Sequence, residues 1–100
     1  HEHTIPVLEA AHIKPYARGG EHHVDNGLLL RRDLHSLYDR GYVTITPDYV
    51  FKVGDSLRDE FKNGRSYYGL NDSSINIPSS VMLRPNKVLL DWHTQTVFKG

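Results

Sequence analysis

The sequence predicts an α+β domain: a β-β-α unit, an added β-hairpin and a closing C-terminal helix. Three observations carry that prediction. An apolar run over residues 5–12 ends on His12 and gives way to a loop dense in turn formers. A second run, Leu28-Leu29-Leu30, leads directly into helical spacing that stops at Gly41. Beyond Gly41, two β-type segments flank Pro47-Asp48.

Taken in order, residues 5–12 form the first strand, with Pro6 tolerable near its start. Residues 14–26 are a loop, because Lys14-Pro15, Gly19-Gly20 and Asp25-Asn26-Gly27 all break or turn the chain. Leu28, Leu29 and Leu30 read as a short buried strand. Asp33 is a suitable N-cap for a helix over residues 34–40, and Gly41 its C-terminal stop. On that helix Leu34, Leu37 and Tyr38 form the apolar stripe, while His35 and Asp39 stand four apart on another face. Residues 42–46 and 49–53 form the hairpin. A short helix over 56–61 ends at Asn63-Gly64, and residues 66–70 and 74–77 are further short strands around Asn71-Asp72. The stretch 86–93 has helical spacing, with Leu89 and Trp92 or His93 facing inward.

A chain of 100 residues allows one small domain. Without cysteine it has neither disulfides nor a thiolate zinc site, which fits a cytoplasmic protein. Nothing in it reads as a membrane span or a signal segment. Twelve basic and twelve acidic residues cancel, so net charge lends no support to nucleic-acid binding, although a local cluster with a bound cation can still meet phosphates. Six of the seven histidines fall before residue 40, which places the polar chemistry in the N-terminal part. His1-Glu2-His3-Thr4 almost touches the first strand, and the chain reads as the C-terminal module of a longer protein.

The order His12, Asn26, His35 around strand, loop, strand and helix resembles the HNH nucleases, the ββα-metal group. Phosphodiester hydrolysis needs a water deprotonated and aimed in line, and a cation where charge develops on the leaving oxygen. The resemblance assigns the general base to His12, a role that suits a neutral imidazole held in one tautomer. From position alone His12 could equally cap its strand by bonding the loop. Asn26 aligns with the family's central asparagine, which ties the loop to the strand; an amide suits this because it both donates and accepts. Asp25-Asn26-Gly27 is also a turn sequence, and both roles can hold together.

His35 and Asp39, at i and i+4, can share one metal ion. In nuclease colicins, which this helix resembles, histidines occupy both positions. The aspartate here shifts the preference toward Mg²⁺ or Mn²⁺, with Zn²⁺ or Ni²⁺ still open to the imidazole. Asp39 could instead pair with Arg40. The residue before the catalytic histidine is often a metal ligand in HNH nucleases, but here it is Ala11, which binds nothing. Glu9 could reach the site only from an irregular strand and is not assigned. Ala-Ala-His-Ile, the Gly-Gly loop and Leu-Leu-Leu-Arg are similar to a cysteine-poor HNH subgroup found in restriction endonucleases, often behind a DNA-reading domain. The resemblance is close over residues 7–45 and looser through Trp92.

Lys14, Arg18, Arg31, Arg32 and Arg40 surround the motif and can contact phosphates, diluted by Glu21, Asp25 and Asp33. His22 and His23 read as solvated loop residues, and Tyr67, Tyr68 and Trp92 as core. The resemblance thus implies a metal-dependent DNA endonuclease of a prokaryotic restriction system, with an upstream recognition domain and a homodimer in the full-length protein. The alternatives are an HNH-like DNA-binding module with weak or no catalysis, favoured by Ala11, and a small structural or metal-binding domain.

Overall fold

A computed structural model describes residues 8–60 and 65–100. Residues 5–7 of the expected first strand, and the Phe61 and Asn63-Gly64 end of the expected short helix, lie outside the described residues. The elements are β1 (Leu8–His12), β2 (Gly27–Arg31), α1 (Arg32–Asp39), β3 (Val43–Ile45), β4 (Phe51–Val53), α2 (Asp55–Glu60), α3 (Arg65–Tyr68) and α4 (Lys87–Thr96). This is an α+β fold. Among the described residues no helix is long and apolar enough to cross a membrane.

β1 and β2 pair antiparallel without interruption, from Leu8 opposite Arg31 to His12 opposite Gly27. Side chains alternate across a strand, so Glu9 and Ala11 share one face and Leu8, Ala10 and His12 the other. Leu28 and Leu30 of β2 join Ala11 in the core, whereas Leu29 is 69% exposed. The expectation of a fully buried Leu28-Leu29-Leu30 strand is therefore corrected, because only one face of this hairpin is covered.

Helix α1 starts at Arg32, earlier than expected, and no side chain caps it. Asp33 sits inside the first turn instead of at the cap, where it accepts from the Leu34 N–H and pairs with Arg31 at 3.0 Å. A carboxylate there still opposes the positive end of the helix dipole. Gly41 ends the helix as expected, at φ +81°, and a Cβ there would fall 2.1 Å from the Val97 carbonyl oxygen.

The hairpin β3–β4 forms with Val43 opposite Val53. The expected strands over 66–70 and 74–77 do not. Residues 65–68 are helix α3, and Ser74 makes only an isolated bridge to Val50. Asp72 takes the left-handed region at φ 69° and turns the chain back. The backbone then lies against β4 through short contacts, Asp72 N–H to the Phe51 carbonyl and Phe51 N–H to the Ser73 carbonyl, both 2.8 Å.

In α4 the Asn86 side chain caps the first turn by accepting from the Val88 and Leu89 N–H groups. Leu90 and His93 are the buried pair, so Leu90 takes the place expected of Leu89, and Trp92 is only half-buried. These residues face β3 and α1 and close one core that runs through Leu37, Tyr38, Val43, Ile45 and Leu57.

His93 is the polar pin of that core. Its Nε2–H donates to the Tyr38 carbonyl at 2.8 Å, its Nδ1 lies 2.7 Å from the Thr44 hydroxyl, and its ring stacks on Tyr38 at 3.7 Å. Burial pushes its pKa down to about 4, against the pull of the bond to Tyr38. Above pH ~6.5 the ring is neutral folded or unfolded, and its stabilisation is fully present. As pH falls from there toward 4, the unfolded chain takes up a proton that the folded chain refuses, so stability drops. The expected loss is up to about 3 kcal/mol across that window. Urea unfolding at several pH values checks it, and His93→Gln, which cannot titrate, is expected to flatten the slope.

Candidate active site

The site lies where β1 ends, where α1 covers the inner face of the hairpin, and where the loop between β1 and β2 folds back. Asn26 organises that loop. Its side-chain oxygen accepts the Lys14 N–H at 2.9 Å, and its amide donates to the Lys14 carbonyl at 2.9 Å and the Glu21 carbonyl at 2.8 Å. The backbone adds the Ile13 N–H to Asn26 carbonyl bond at 3.0 Å. Both ends of the loop are thus tied to one buried amide. Gly20 is required for the same closure: a Cβ there would stand 1.7 Å from the Lys14 carbonyl oxygen.

His12 emerges just before this anchor, on the exposed face of β1. Its ring meets the edge of the His22 ring at 5.3 Å between centroids, and Tyr16 stacks on His22 at 5.5 Å. His22 is therefore a contact of His12 as well as a solvated loop residue. His23 pairs instead with Glu21 at 3.0 Å.

His35 and Asp39 project side by side from α1, with Nε2 and Oδ2 3.1 Å apart. The other ring nitrogen, Nδ1, lies 3.0 Å from Glu9 Oε1. Glu9 reaches it from a regular strand, which corrects the expectation that only an irregular one would allow this. The reason is the pleat: Glu9 lies on the same face as Ala11, under the helix. The signal in the sequence was a lone charged residue two before Ala11 on the inward face.

The electrostatics follow from these contacts. The His35 hydrogen bond holds the Glu9 carboxyl below its ordinary value, with Arg32 acting in the same direction and desolvation opposing both. Desolvation lifts the Asp39 carboxyl above its ordinary value, and the His35 and His12 imidazoles pull the other way. His12 thus lies close enough for Asp39 to feel its charge. Asp39 pairs with His35.

Two carboxylates bracket one imidazole, and the side shared by Nε2 and Asp39 is where the two could hold a cation together. Adjacent ligands of an octahedral Mg²⁺, each about 2.0–2.1 Å away, are roughly 3 Å apart. The His35–Asp39 spacing fits that geometry. Ring geometry keeps Glu9 out of the same ion, since Nδ1 and Nε2 point away from each other. Among the described residues no group of three or more His, Asp or Glu side chains is placed to hold a metal. Ala11 is buried and contributes nothing.

The surrounding cations divide into two sets. Arg31 pairs with Asp33 at 3.0 Å and Arg32 with Glu9 at 3.2 Å. Arg40 lies over the Tyr42 ring at 5.3 Å. Lys14 and Arg18 both lie over Trp92, each 5.2 Å from the ring centroid.

A sequence model described as HNH endonuclease matches residues 2–46, which span the strand-end histidine, the anchored asparagine and the helix that carries His35. That segment belongs to the HNH endonuclease family. The HNH segment and its C-terminal scaffold together resemble a solved structure, a modification-dependent TagI restriction endonuclease. The TM-score is 0.66 at 19% identity, over 93% of this chain. The likeness is one of fold, and it spans 28% of that enzyme's chain. No curated protein matches.

Proposed function

We propose that this domain hydrolyses DNA phosphodiester bonds with a divalent metal held by His35 and Asp39. The observation that carries the reading is the 3.1 Å Nε2–Oδ2 pair, set within electrostatic reach of the exposed His12 on an HNH framework. In this reading His12 takes a proton from water, whose oxygen forms the new bond to phosphorus as the bond to the leaving sugar oxygen breaks. Asn26 holds the loop that fixes His12. Mg²⁺ or Mn²⁺ would neutralise charge on the phosphate and the leaving oxygen, with water and phosphate completing its coordination. Glu9 is a positioning residue: it accepts the Nδ1 proton of His35, which leaves Nε2 to face Asp39. Arg31, Arg32, Arg40, Lys14 and Arg18 are the candidate phosphate contacts.

The matched restriction endonuclease has a longer chain, of which this domain spans 28%; a homodimer with an upstream DNA-reading domain in a prokaryotic cytoplasm is part of the same proposal. The test is plasmid cleavage in Mg²⁺, Mn²⁺ or EDTA, with Mn²⁺ titration of His35→Ala, Asp39→Ala and Glu9→Ala. Cutting is expected only with metal. The first two variants are expected to lose Mn²⁺ binding, and Glu9→Ala to bind about 10–100-fold more weakly. Unchanged Mn²⁺ affinity in both ligand variants would refute the metal assignment. Buried Ala11 favours a second reading, a DNA-binding module without catalysis. DNA binding with no cutting in any metal would select it.

A further inference from the structure

We infer that Lys14 and Arg18, mounted on Trp92, form the phosphate-contact surface of this domain for a nucleic-acid backbone. The inference rests on the nuclease reading and singles out, among its five candidate cations, the two that share one platform. Arg31 and Arg32 face Asp33 and Glu9 within 3.0 Å and 3.2 Å, so each must give up a carboxylate before it can meet a phosphate. Among the described residues Lys14 and Arg18 meet no carboxylate; each rests on the face of one indole, 5.2 Å from its centroid. A ring face attracts a cation without neutralising it, so both charges stay available to an anion.

The placement is rigid for physical reasons. The backbone N–H and C=O of Lys14 are both bonded to the buried Asn26 side chain, so the stem of Lys14 starts from a fixed point two residues after His12. Arg18 closes a single turn over Tyr16–Arg18, whose end is tied back by the Gly20 N–H to Pro15 carbonyl bond at 3.0 Å. Trp92 comes from α4, across the fold, and is half-buried. The C-terminal scaffold therefore supplies the platform that gathers two cations beside the candidate base. Lys14 also borders the cleft between this loop and the start of α4, about 590 Å³, where Glu21 and Asp25 oppose a phosphate and leave the Trp92 side as the more favourable path. The backbone is expected to run over the Trp92 side, where it is anchored without being read by sequence.

Trp92 is the only tryptophan, so its emission reports on the patch directly. The experiment titrates the 100-residue chain with a short duplex of arbitrary sequence in EDTA, at several salt concentrations. Wild type is expected to change its Trp92 emission on binding. Each phosphate contact adds about 0.9 to the slope of log affinity against log salt. Lys14→Gln with Arg18→Gln is expected to lower that slope by nearly two, with the melting temperature changed little, because Arg18 is exposed and Lys14 half-buried with its backbone bonds to Asn26 kept. Arg31→Gln with Arg32→Gln is expected to move it much less; with binding read from the anisotropy of a labelled duplex, Trp92→Leu is expected to weaken binding and Trp92→Phe to restore part of it.

An unchanged slope in the Lys14/Arg18 variant overturns the inference, as does an equal drop in the Arg31/Arg32 variant. If wild type binds and cuts while the Lys14/Arg18 variant binds as well as wild type, this inference alone fails. If wild type binds no duplex at any salt, the nuclease reading falls with it.

Discussion

His12→Ala is expected to slow Mg²⁺- or Mn²⁺-supported DNA cleavage by about 10²–10⁴-fold, the usual contribution of a positioned general base. The side chain is exposed at the end of β1, where its ring meets that of His22. Removing it leaves no buried group unsatisfied and no cavity in the core. Stability is therefore expected to stay within roughly 0.5 kcal/mol of wild type, as for other surface substitutions. Thermal melts and plasmid nicking on the same preparation separate the two effects. Mn²⁺ affinity is expected to be unchanged, because the candidate ligands stand on α1 and His12 does not. Wild-type cleavage by His12→Ala would remove it as the base. His22→Ala is expected to have a smaller effect of the same kind, since His22 only limits where the His12 ring can turn.

The N-terminal half was legible because its signals are local. The paired strands around Asn26 follow from apolar runs and from turn residues that allow few other conformations. His35 and Asp39 follow from helical spacing alone, which puts i and i+4 side by side whatever lies around them. Glu9 was not legible, because its partner is set by tertiary packing: α1 must lie across the inner face before residues 9 and 35 can meet. The division of cations was hidden for the same reason. Arg32 and Glu9 are 23 apart in sequence, and Trp92 meets Lys14 only once α4 has packed. Residues 66–77 were misread because their β-type residues and turn formers permit strands, while the neighbouring edge of β4 accepts only a short bridge. At α4 the apolar period was right: His93 is buried as expected and Leu89 packs partly buried against the core, but Leu90 lies deeper. Choosing Leu90 over Leu89 depends on where the Asn86 cap starts the helix.

Asn26→Ala is expected to cost more stability than any other single change in the loop, and to abolish cleavage with it. The side chain is 1% exposed and fills three hydrogen bonds, one accepted and two donated. Alanine leaves the Lys14 N–H and the Lys14 and Glu21 carbonyls without those partners, and each unsatisfied buried group costs about 1–3 kcal/mol. The loop is a surface element, so water can enter and recover part of this, and a total of about 3–5 kcal/mol is expected. For a domain of this size that lowers the melting temperature by at least ~10 °C. Asn26→Asp distinguishes lost bonding from lost volume. It keeps the acceptor for the Lys14 N–H but turns both donors into oxygens facing carbonyls, so it is expected to destabilise about as much as alanine. Mn²⁺ binding at His35 and Asp39 is expected to survive in either variant below its melting point, because α1 does not depend on the loop for its fold. Cleavage at the same temperature is expected to be lost, because His12 precedes a loop that no longer closes. Melting within about 2 °C of wild type would mean that the loop holds its shape without the amide, and Asn26 would then have no positioning role.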